Sequence, residues 1–474
     1  MDFIYSLDEI HFFEVLCMLQ SDTIAAIATY PSNSGIGIIR ISGPDAISCC
    51  EQIFRSKVPL HEMSTHTISY GFIFDGEEKI DEVLVSLMRS PRSYTMEDVV
   101  EIQCHGGIFI LQRILSLLFS KGVRPAEAGE FTKRAFLNGR IDLTQAESVM
   151  DLISSENEKS RKNSMSQLSG VLSKKLGDLR GKILHEVAYI ESALDDPEHI
   201  SLDGYSEKLS SLLEELSLEL DSYIRSADDG MLLKSGIRTV IVGKPNVGKS
   251  SLLNMLSEKD RAIVTDIPGT TRDILEEKVR IGDITLHILD TAGIRETTDV
   301  VEQIGVSKAE ASVEDADLIL YVVDSSIPLD DNDVRIQSTL KDHSSHTIIL
   351  LNKSDLNSVV SEEELRDLGV QVISVSMKDG SGVDDLKQAI TTMFFHGDIS
   401  SNDDLLITNE RHKFLLQQAK KSLSLVQDSI ALGMTEDFFA GDLMDAYESL
   451  GSIIGESVED DLVNEIFSKF CMGK

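Results

Sequence analysis

The residues from Gly243 to Ser250 have the types and spacing of a loop that binds phosphate. They read GKPNVGKS, in which Gly243 and Gly248 frame a turn and Lys249 and Ser250 follow it. Glycines let backbone N–H groups face phosphate oxygens, and a helix N-terminus adds partial positive charge. The lysine suits the β- and γ-phosphates of a nucleotide, and the serine hydroxyl suits Mg²⁺. The apolar run RTVIV before the loop and the helical pattern after it are the context that this motif requires.

A second motif, NKSD, predicts which base is bound. Asn352, Lys353 and Asp355 follow the apolar run HTIILL. A carboxylate can accept hydrogen bonds from N1–H and N2–H₂ of guanine, and adenine lacks this pair of donors, so a site with an unpaired buried carboxylate rejects it. Alone, the motif could be a solvated helix start; behind a phosphate loop it indicates GTP. Three residues after the run VQVISV are expected to close over the base: Ser376, Met377 and Lys378.

The motif DTAG ends the run ITLHIL and is expected to sense the γ-phosphate. Asp290 would hold Mg²⁺ through water, and the N–H of Gly293 would meet the phosphate. Ile294 follows, where Ras-type GTPases orient the attacking water with glutamine. Because isoleucine cannot bind water, either hydrolysis is poor or another residue supplies the polar group. The downstream candidates are all acidic: Glu296, Asp299 and Glu302.

The segment TDIPGTTRD, residues 265–273, lies between these two motifs, where a switch segment should ligate Mg²⁺ through a threonine. Thr270 and Thr271 both qualify, and spacing does not choose between them.

Alternating elements must position these motifs. From about residue 236 to 395, apolar β-branched runs alternate with polar helical segments, which is typical of parallel βαβ units in a doubly wound sheet. The sequence on both sides is helical, with apolar stripes such as Ala146, Val149, Met150 and Ile153. We therefore predict an α/β domain inserted in a helical domain; the alternative is two independent helical domains. Residues 22–140 mix β-like runs with one helix, FILQRILSLLFSKG, and predict an α+β domain.

Composition restricts the possible classes of protein. A chain of 474 residues is too long to fold around a single hydrophobic core, so we expect several domains. No apolar run reaches the ~20 residues that span a bilayer. The acidic N-terminus is unlike a signal peptide and the five cysteines show no CxxC spacing, so we expect a cytoplasmic protein without a zinc site. With 44 basic and 80 acidic residues the net charge is −36, which disfavours a protein that binds RNA through its own surface alone.

Together these motifs resemble the bacterial MnmE (TrmE) family of GTPases, which modify the wobble uridine of certain tRNAs. The likeness extends beyond the GTPase part, to GIGIIRISG, SYTMEDVVEIQCHGG, GEFTKRAFLNGRIDLTQAE and the closing CMGK, and covers about residues 21–474. It implies a Ras-like doubly wound G domain inserted in a helical domain, preceded by an α+β folate-binding domain. The implied boundaries are 1–21 for an N-terminal extension, 22–140, 141–232, 233–395 and 396–474.

The resemblance assigns roles within the GTPase motifs. It implies Ser250 and Thr271 as Mg²⁺ ligands and Glu302 as the catalytic residue that orients water. It implies K⁺ bound by Asn246, Thr265, Ile267 and Thr270, with the ion standing where other GTPases place an arginine. The residues expected at the GTP site are Asn246, Val247, Gly248, Lys249, Ser250, Ser251, Thr265, Asp266, Ile267, Pro268, Gly269, Thr270, Thr271, Asp290, Thr291, Ala292, Gly293, Asn352, Lys353, Asp355, Ser376, Met377 and Lys378.

The resemblance also implies ligands and partners outside the G domain. A 5-formyl- or methylene-tetrahydrofolate would be contacted by Arg40, Glu101, Arg140 and Lys474, and Cys471 is a further residue of interest. Arg140 departs from a lysine that is frequent there, and CMGK departs from CIGK. The implied assembly is a homodimer that works with the flavoprotein MnmG (GidA) in a heterotetramer-type complex. tRNA would be bound mainly through that partner, and no membrane is involved.

The sequence leaves two other functions open. One is a GTP-gated protein that senses folate without modifying tRNA. The other is a ribosome-assembly GTPase, which is disfavoured because such proteins should lack both the EIQCHGG region and the terminal CMGK.

Overall fold

The computed structural model describes residues 22–259, 277–289, 313–314, 316–365, 369–395, 406–456, 458, 460–471 and 473. These residues divide into two compact units. The first lies within Met1–Met150, Gln167–Asp178 and Leu450–Lys474, and the second within Asp151–Ser166 and Leu179–Ser449. Among the helices of the described ranges, none combines the length and apolar character needed to cross a membrane.

The first unit is built on a seven-stranded sheet. Its strands are β1 Ile24–Ile27, β2 Ser34–Ser42, β3 Phe54–Ser56, β4 Thr67–Asp75, β5 Glu78–Met88, β6 Val99–Gly106 and β7 Arg124–Pro125. They lie in the order β3-β4-β5-β6-β2-β1-β7. The helices of this part are α1 Ala46–Glu51, α2 Ile108–Phe119 and α3 Glu130–Leu137. The predicted α+β arrangement is confirmed, with α2 where the helical pattern indicated.

One face of this sheet forms the core. Ile39, Ile41 and Ile102 are fully buried, and α2 places Leu111 and Ile114 in the same cluster. Because side chains alternate along a strand, Arg40 lies on the other face, directly opposite Glu101 in the register of β2 and β6. The pairing of β2 with β6 therefore places these two predicted site residues side by side, on the face away from the core.

Four helices follow: α4 Leu143–Ile153, α5 Glu158–Leu168, α6 Val171–Asp195 and α7 Tyr205–Ser235. Ala146 and Val149 of the predicted stripe on α4 are buried. Ile153, at the last position of α4, is 49% exposed, so its assignment to that stripe was wrong.

The central part of the second unit is a six-stranded sheet. Its strands are β8 Ile237–Val242, β9 Glu277–Ile281, β10 Ile284–Ile288, β11 Leu318–Asp324, β12 Thr347–Asn352 and β13 Gln371–Ser374. The order is β13-β12-β11-β8-β10-β9, and only β9 pairs antiparallel with its neighbour. The accompanying helices are α8 Lys249–Lys259, α9 Asp331–Leu340, α10 Glu362–Leu365 and α11 Val383–Phe394. The predicted doubly wound sheet is confirmed.

Strands β11 and β12 of this sheet are buried on both faces, as expected for a parallel sheet covered by helices. Along β11, Leu318, Leu320 and Val322 join the core that includes α8 and α11. Ile319 and Tyr321 join the core on the opposite face. Strand β9 was not predicted, because its sequence EKVRI buries only alternate residues and has no continuous apolar run.

The chain then returns to helices: α12 Glu410–Ala431, α13 Asp437–Ile454 and α14 Asp460–Ser468. Helix α12 packs against α7, with Lys413 Nζ 2.5 Å from Asp228 Oδ1 and Lys420 Nζ 2.6 Å from Asp221 Oδ1. Helices from before and after the α/β segment therefore pack together, which confirms the predicted insertion.

Candidate functional site

The predicted phosphate loop lies at the edge of the sheet where doubly wound proteins bind ligands. It follows β8, which lies between β10 and β11, and α8 begins directly after it at Lys249. The order of the strands reverses here, and ligands of such sheets bind in the crevice at the carboxyl ends of the strands. The loop is therefore placed with the N-terminus of α8 facing that crevice.

Two glycines of the loop are required by close approach. Gly243 has φ +147°, and a Cβ there would lie 2.4 Å from the carbonyl oxygen of Val322. Gly248 has φ +111°, and its Cβ would lie 2.2 Å from Asn352 Nδ2. A side chain at either position would push the loop away from the strands that support it.

Lys249 is held inside the loop. Its Nζ donates to the carbonyl oxygens of Gly243 at 2.6 Å and Lys244 at 2.7 Å. Burial lowers the pKa of Lys249 to about 8. A partly desolvated ammonium whose partners among the described residues are carbonyl oxygens gains strongly from an anion, so this position suits a phosphate.

The neighbouring Lys244 anchors the loop instead of reaching into the crevice. Its Nζ lies 2.9 Å from Asp330 Oδ2 and 2.6 Å from Asp333 Oδ2. Asp333 is buried at the start of α9 and accepts a hydrogen bond of 3.1 Å from the Tyr321 hydroxyl. Sequence reasoning missed this network, although the capping pattern DDND at Asp330 was a usable signal.

Asn352 joins the phosphate loop to the loop after β13. Its side chain is buried, with Nδ2 donating to the carbonyl oxygen of Val247 at 2.7 Å. Its Oδ1 accepts a hydrogen bond from the backbone N–H of Met377 at 3.1 Å. The NKSD residue that the sequence singled out therefore connects two of the predicted GTP-binding segments directly.

The remaining residues of the base motif have defined partners. Lys353 has φ +65° and its Nζ lies 2.5 Å from Asp324 Oδ2, a partner that sequence reasoning missed. Asp355 is exposed; its Oδ1 accepts from the Ser376 hydroxyl at 3.1 Å, and its Oδ2 lies 3.7 Å from Lys378 Nζ. This arrangement leaves the carboxylate at the open side of the loop, where a base edge can reach it.

A cleft of about 390 Å³ lies between these segments. It is lined by Ser251, Asn254, Met255, Met377, Lys378, Asp379 and Gly380. Asn246, at the turn of the phosphate loop, has φ +64° and is exposed, as are Ser250 and Ser251 at the start of α8. Three of the predicted GTP-site residues therefore line this cleft: Ser251, Met377 and Lys378.

Several predicted site residues lie outside the described part of the chain. They are residues 265–271 of the switch segment, residues 290–293 of DTAG, Glu302 and Lys474.

The predicted folate residues of the first unit also come together. Arg40 Nε lies 2.9 Å from Glu101 Oε1, and Arg40 Nη1 donates to the carbonyl oxygen of Gly473 at 3.1 Å. The Tyr94 ring lies below two guanidinium groups, Arg40 at 5.4 Å and Arg140 at 4.8 Å from its centroid. Sequence reasoning missed Tyr94, which nonetheless belongs to the quoted SYTMED segment.

The C-terminal residues reach this cluster through a tight contact. Gly473 has φ +85°, and a Cβ there would lie 2.5 Å from the carbonyl oxygen of Ile27 in β1. The carbonyl oxygen of Cys471 accepts from the Gly129 N–H at 3.4 Å, while Cys471 itself is exposed. The glycine of CMGK is thus required by backbone conformation and space.

The chain matches two profiles of known protein families. The family profile described as MnmE helical domain matches residues 143–471. The profile described as GTP-binding protein TrmE N-terminus matches residues 23–140.

Three relatives carry the description tRNA modification GTPase MnmE. The protein of Lachnoclostridium phytofermentans is 54% identical over 460 residues. Those of Acetivibrio thermocellus and Clostridioides difficile are 48% identical over 461 residues and 47% over 465. In each case the match spans 96% of this chain and 100% of the relative. With matches along the whole length of the relatives, the resemblance is confirmed, and the chain belongs to the MnmE family of tRNA modification GTPases.

Proposed function

We propose that this protein hydrolyses GTP and that the hydrolysis serves the modification of tRNA at wobble uridine 34. The observation that carries the proposal is the double hydrogen bond of Asn352, which connects the phosphate loop to the loop beside Asp355. One nucleotide can then be held at its phosphates by Lys249 and at its guanine by Asp355. We place this activity in the cytoplasm.

Mg²⁺ and K⁺ fit the chemistry of the loop. Ser250 offers a hydroxyl at the first turn of α8, and Asn246 offers an exposed amide oxygen beside the place of the phosphates. Hydroxyl and amide oxygens suit these hard cations. In this proposal Ser250 and Thr271 hold Mg²⁺, and Asn246, Thr265, Ile267 and Thr270 hold K⁺. The monovalent ion supplies positive charge at the transition state, where other GTPases use arginine.

Glu302 is proposed as the residue that orients the attacking water, because Ile294 cannot. It would act mainly in the transition state, so Glu302→Ala should slow hydrolysis and leave GTP affinity nearly unchanged.

A tetrahydrofolate is proposed to bind at Tyr94. Folates carry a flat pterin and a carboxylate tail, which suit an aromatic ring and the guanidinium groups of Arg40 and Arg140. Glu101 orients Arg40, and Lys474 completes the set in the proposal. In this proposal, which includes the flavoprotein MnmG, the methylene of methylene-tetrahydrofolate would join C5 of the uridine to the nitrogen of an amine, glycine or ammonia. The product would be the carboxymethylaminomethyl or aminomethyl group, and the hydrogens displaced from C5 and from the amine would end on the released tetrahydrofolate. The active assembly in this proposal is a homodimer bound to that partner.

The test of the proposal is GTP turnover measured in K⁺, Na⁺ and Rb⁺ at constant ionic strength, with and without the flavoprotein. We expect turnover to fall by at least tenfold when Na⁺ replaces K⁺, the loss that follows from about 1.4 kcal/mol of transition-state stabilisation. Asn246→Ala should remove this preference. Equal rates in all three salts would contradict the role of the monovalent ion.

The folate cluster by itself also favours a second function, a GTP-gated sensor of folate. Analysis of modified nucleosides in tRNA from cells lacking the protein separates the two. Loss of the modified uridine supports the proposed function, and its persistence supports the sensor.

A further inference from the structure

Glu156 lies in the link between α4 and α5 and contacts both strands of the β9–β10 hairpin, all within the second unit. Its Oε1 forms an ion pair with Lys278 Nζ of β9, and its Oε2 lies 3.6 Å from His287 Nε2 of β10. Lys278 and His287 are directly opposite each other in the register of the hairpin. One carboxylate therefore holds the two strands from the same face.

The environment keeps this carboxylate charged. Glu156 is half-buried, with 28% of its side chain exposed. The interaction with His287, opposed by burial and reinforced by Lys278, lowers the pKa of Glu156 to about 2. Since a partly buried ion pair depends strongly on its geometry, a shift of the hairpin changes the energy of this contact.

Residues in this link and at the end of α4 also contact the chain where it enters and where it leaves the α/β segment. Asn157 Nδ2 donates to the carbonyl oxygen of Leu233 at 3.3 Å. Asp151 lies 2.7 Å from Lys234 Nζ and accepts from the Thr408 hydroxyl at 3.0 Å. Residues 151–163 thus contact the entering chain, the leaving chain and the hairpin.

The hairpin occupies a special place along the chain. Strand β9 begins at Glu277, just after the segment 265–273, and β10 ends at Ile288, just before Asp290. Both of these flanking segments belong to the expected GTP site. Because β9 and β10 are hydrogen-bonded over their whole length, a displacement at either end moves the hairpin as one body.

The hairpin also contains unmade hydrogen bonds. Arg280 Nε and Thr285 Oγ1, which belong to another directly opposed pair, are buried without a partner in the described part of the chain. Buried polar groups without partners are costly, so a shift of the hairpin that paired these two atoms would be stabilised. Coupling between distant parts requires an element with two arrangements, and these two atoms are why the hairpin is our candidate for it.

We propose that Glu156 is a positioning residue which, through Lys278 and His287, transmits the nucleotide-dependent position of the β9–β10 hairpin to the helical link at residues 151–163. This inference rests on the proposed function, because it assumes that the protein binds GTP.

The experiment is hydrogen–deuterium exchange of the full chain with GDP or with a non-hydrolysable GTP analogue, in Mg²⁺ and K⁺. In the unaltered protein, exchange at residues 151–163 should differ at least threefold between the two nucleotides. Glu156→Gln should abolish this difference while residues 277–288 still respond. Lys278→Met provides a second variant with the same expected result. Glu214→Gln, an exposed carboxylate on α7, is the matched control and should behave as the unaltered protein.

The outcomes separate the inference from the proposed function. Nucleotide affinities measured on the same samples show whether GTP is bound; if it is not, the proposed function fails. If GTP binds but residues 151–163 do not respond, or if both variants keep the full response, the role of Glu156 is refuted.

Discussion

At the scale of single residues, the nucleotide site depends on a few polar atoms whose surroundings set their properties. Among the described residues Lys249 is partly desolvated and donates to two carbonyl oxygens, and the exposed Asp355 lies beside the loop after β13, in contact with Ser376. Asn352 is buried and fully engaged between two loops. Binding at this site should therefore respond to pH through the lysine and to base identity through the aspartate.

Asp355→Asn should change which base is bound. The amide would donate where the carboxylate accepts, so it loses the match to the N2–H₂ group of guanine and gains one to the C2 oxygen of xanthine. We expect the preference for GTP over XTP to fall by about a hundredfold or more, as for other sites built to bind one pattern of donors. Competition binding against labelled GDP measures this. The control is Asp384→Asn, an exposed aspartate at the start of α11, which should keep the original preference.

Affinity for GDP should depend on pH through Lys249. Phosphate favours the charged lysine, so binding raises its pKa above about 8, and a proton is taken up on binding at higher pH. Affinity should be constant near pH 7 and weaken from about pH 8 upward, approaching tenfold per unit. Titration calorimetry between pH 7 and 8.8, in buffers of different ionisation enthalpy, measures both effects. Lys249→Arg should bind more weakly but lose the pH slope; a slope that persists in this variant would assign it to another group.

At the scale of elements, close backbone contacts decide where loops and tails lie. The phosphate loop approaches β11 so closely at Gly243 that only glycine fits, and Lys244 ties the same loop to α9. The C-terminal residues approach β1 in the same way at Gly473, which brings a carbonyl oxygen to Arg40. Gly473 is therefore part of the cluster around Arg40 at which we propose that folate binds.

Gly473→Ala should displace the C-terminal residues from β1. The methyl group would meet the Ile27 carbonyl at 2.5 Å, and φ +85° disfavours any side chain. Loss of a hydrogen bond to a charged group costs about 1.5–3 kcal/mol, so affinity for 5-formyl-tetrahydrofolate should fall by at least about tenfold. Equilibrium dialysis measures it. The control is Gly76→Ala, in the turn between β4 and β5. It places an alanine at φ +61° where the surrounding space is open, so it adds conformational strain without a clash and should keep the affinity. Equal affinities for the two variants would show that the close contact does not matter.

At the scale of the whole molecule, charge and insertion matter most. The net charge of −36 opposes binding to a polyanion. The α/β segment is inserted between helices that pack together. Because of the insertion, two chain crossings connect the α/β segment to the helices. The charge agrees with the proposal that a basic partner supplies most of the surface for tRNA.

The isolated protein should therefore bind tRNA weakly. At about 0.15 M salt, where charges more than about 8 Å apart are screened, we expect its affinity to be at least tenfold below that of the mixture with the flavoprotein. Filter binding at several salt concentrations measures both. Equal affinity of the isolated protein and the mixture would refute the assignment of tRNA binding to the partner.

Much of the fold followed from periodicity in the sequence. The apolar runs RTVIV, ITLHIL, HTIILL and VQVISV were confirmed as strands of the central sheet, because continuous apolar runs are what a parallel sheet buried on both faces requires. The edge strand β9 was missed, since three of its five residues are polar and at least partly exposed. Ile153 was wrongly assigned to an apolar stripe, because periodicity does not show where burial stops at a helix end.

The sequence by itself determined the nucleotide class, the inserted arrangement and the family. The first and the last depend on short motifs, and the inserted arrangement depends on the pattern of apolar residues along the chain. Only the tertiary structure decided which partners surround them: Asp333 and Tyr321 behind Lys244, Tyr94 beneath the two arginines, and Glu156 against the β9–β10 hairpin. These contacts join residues far apart in the chain, and they arise from how strands and helices pack, which no local pattern records.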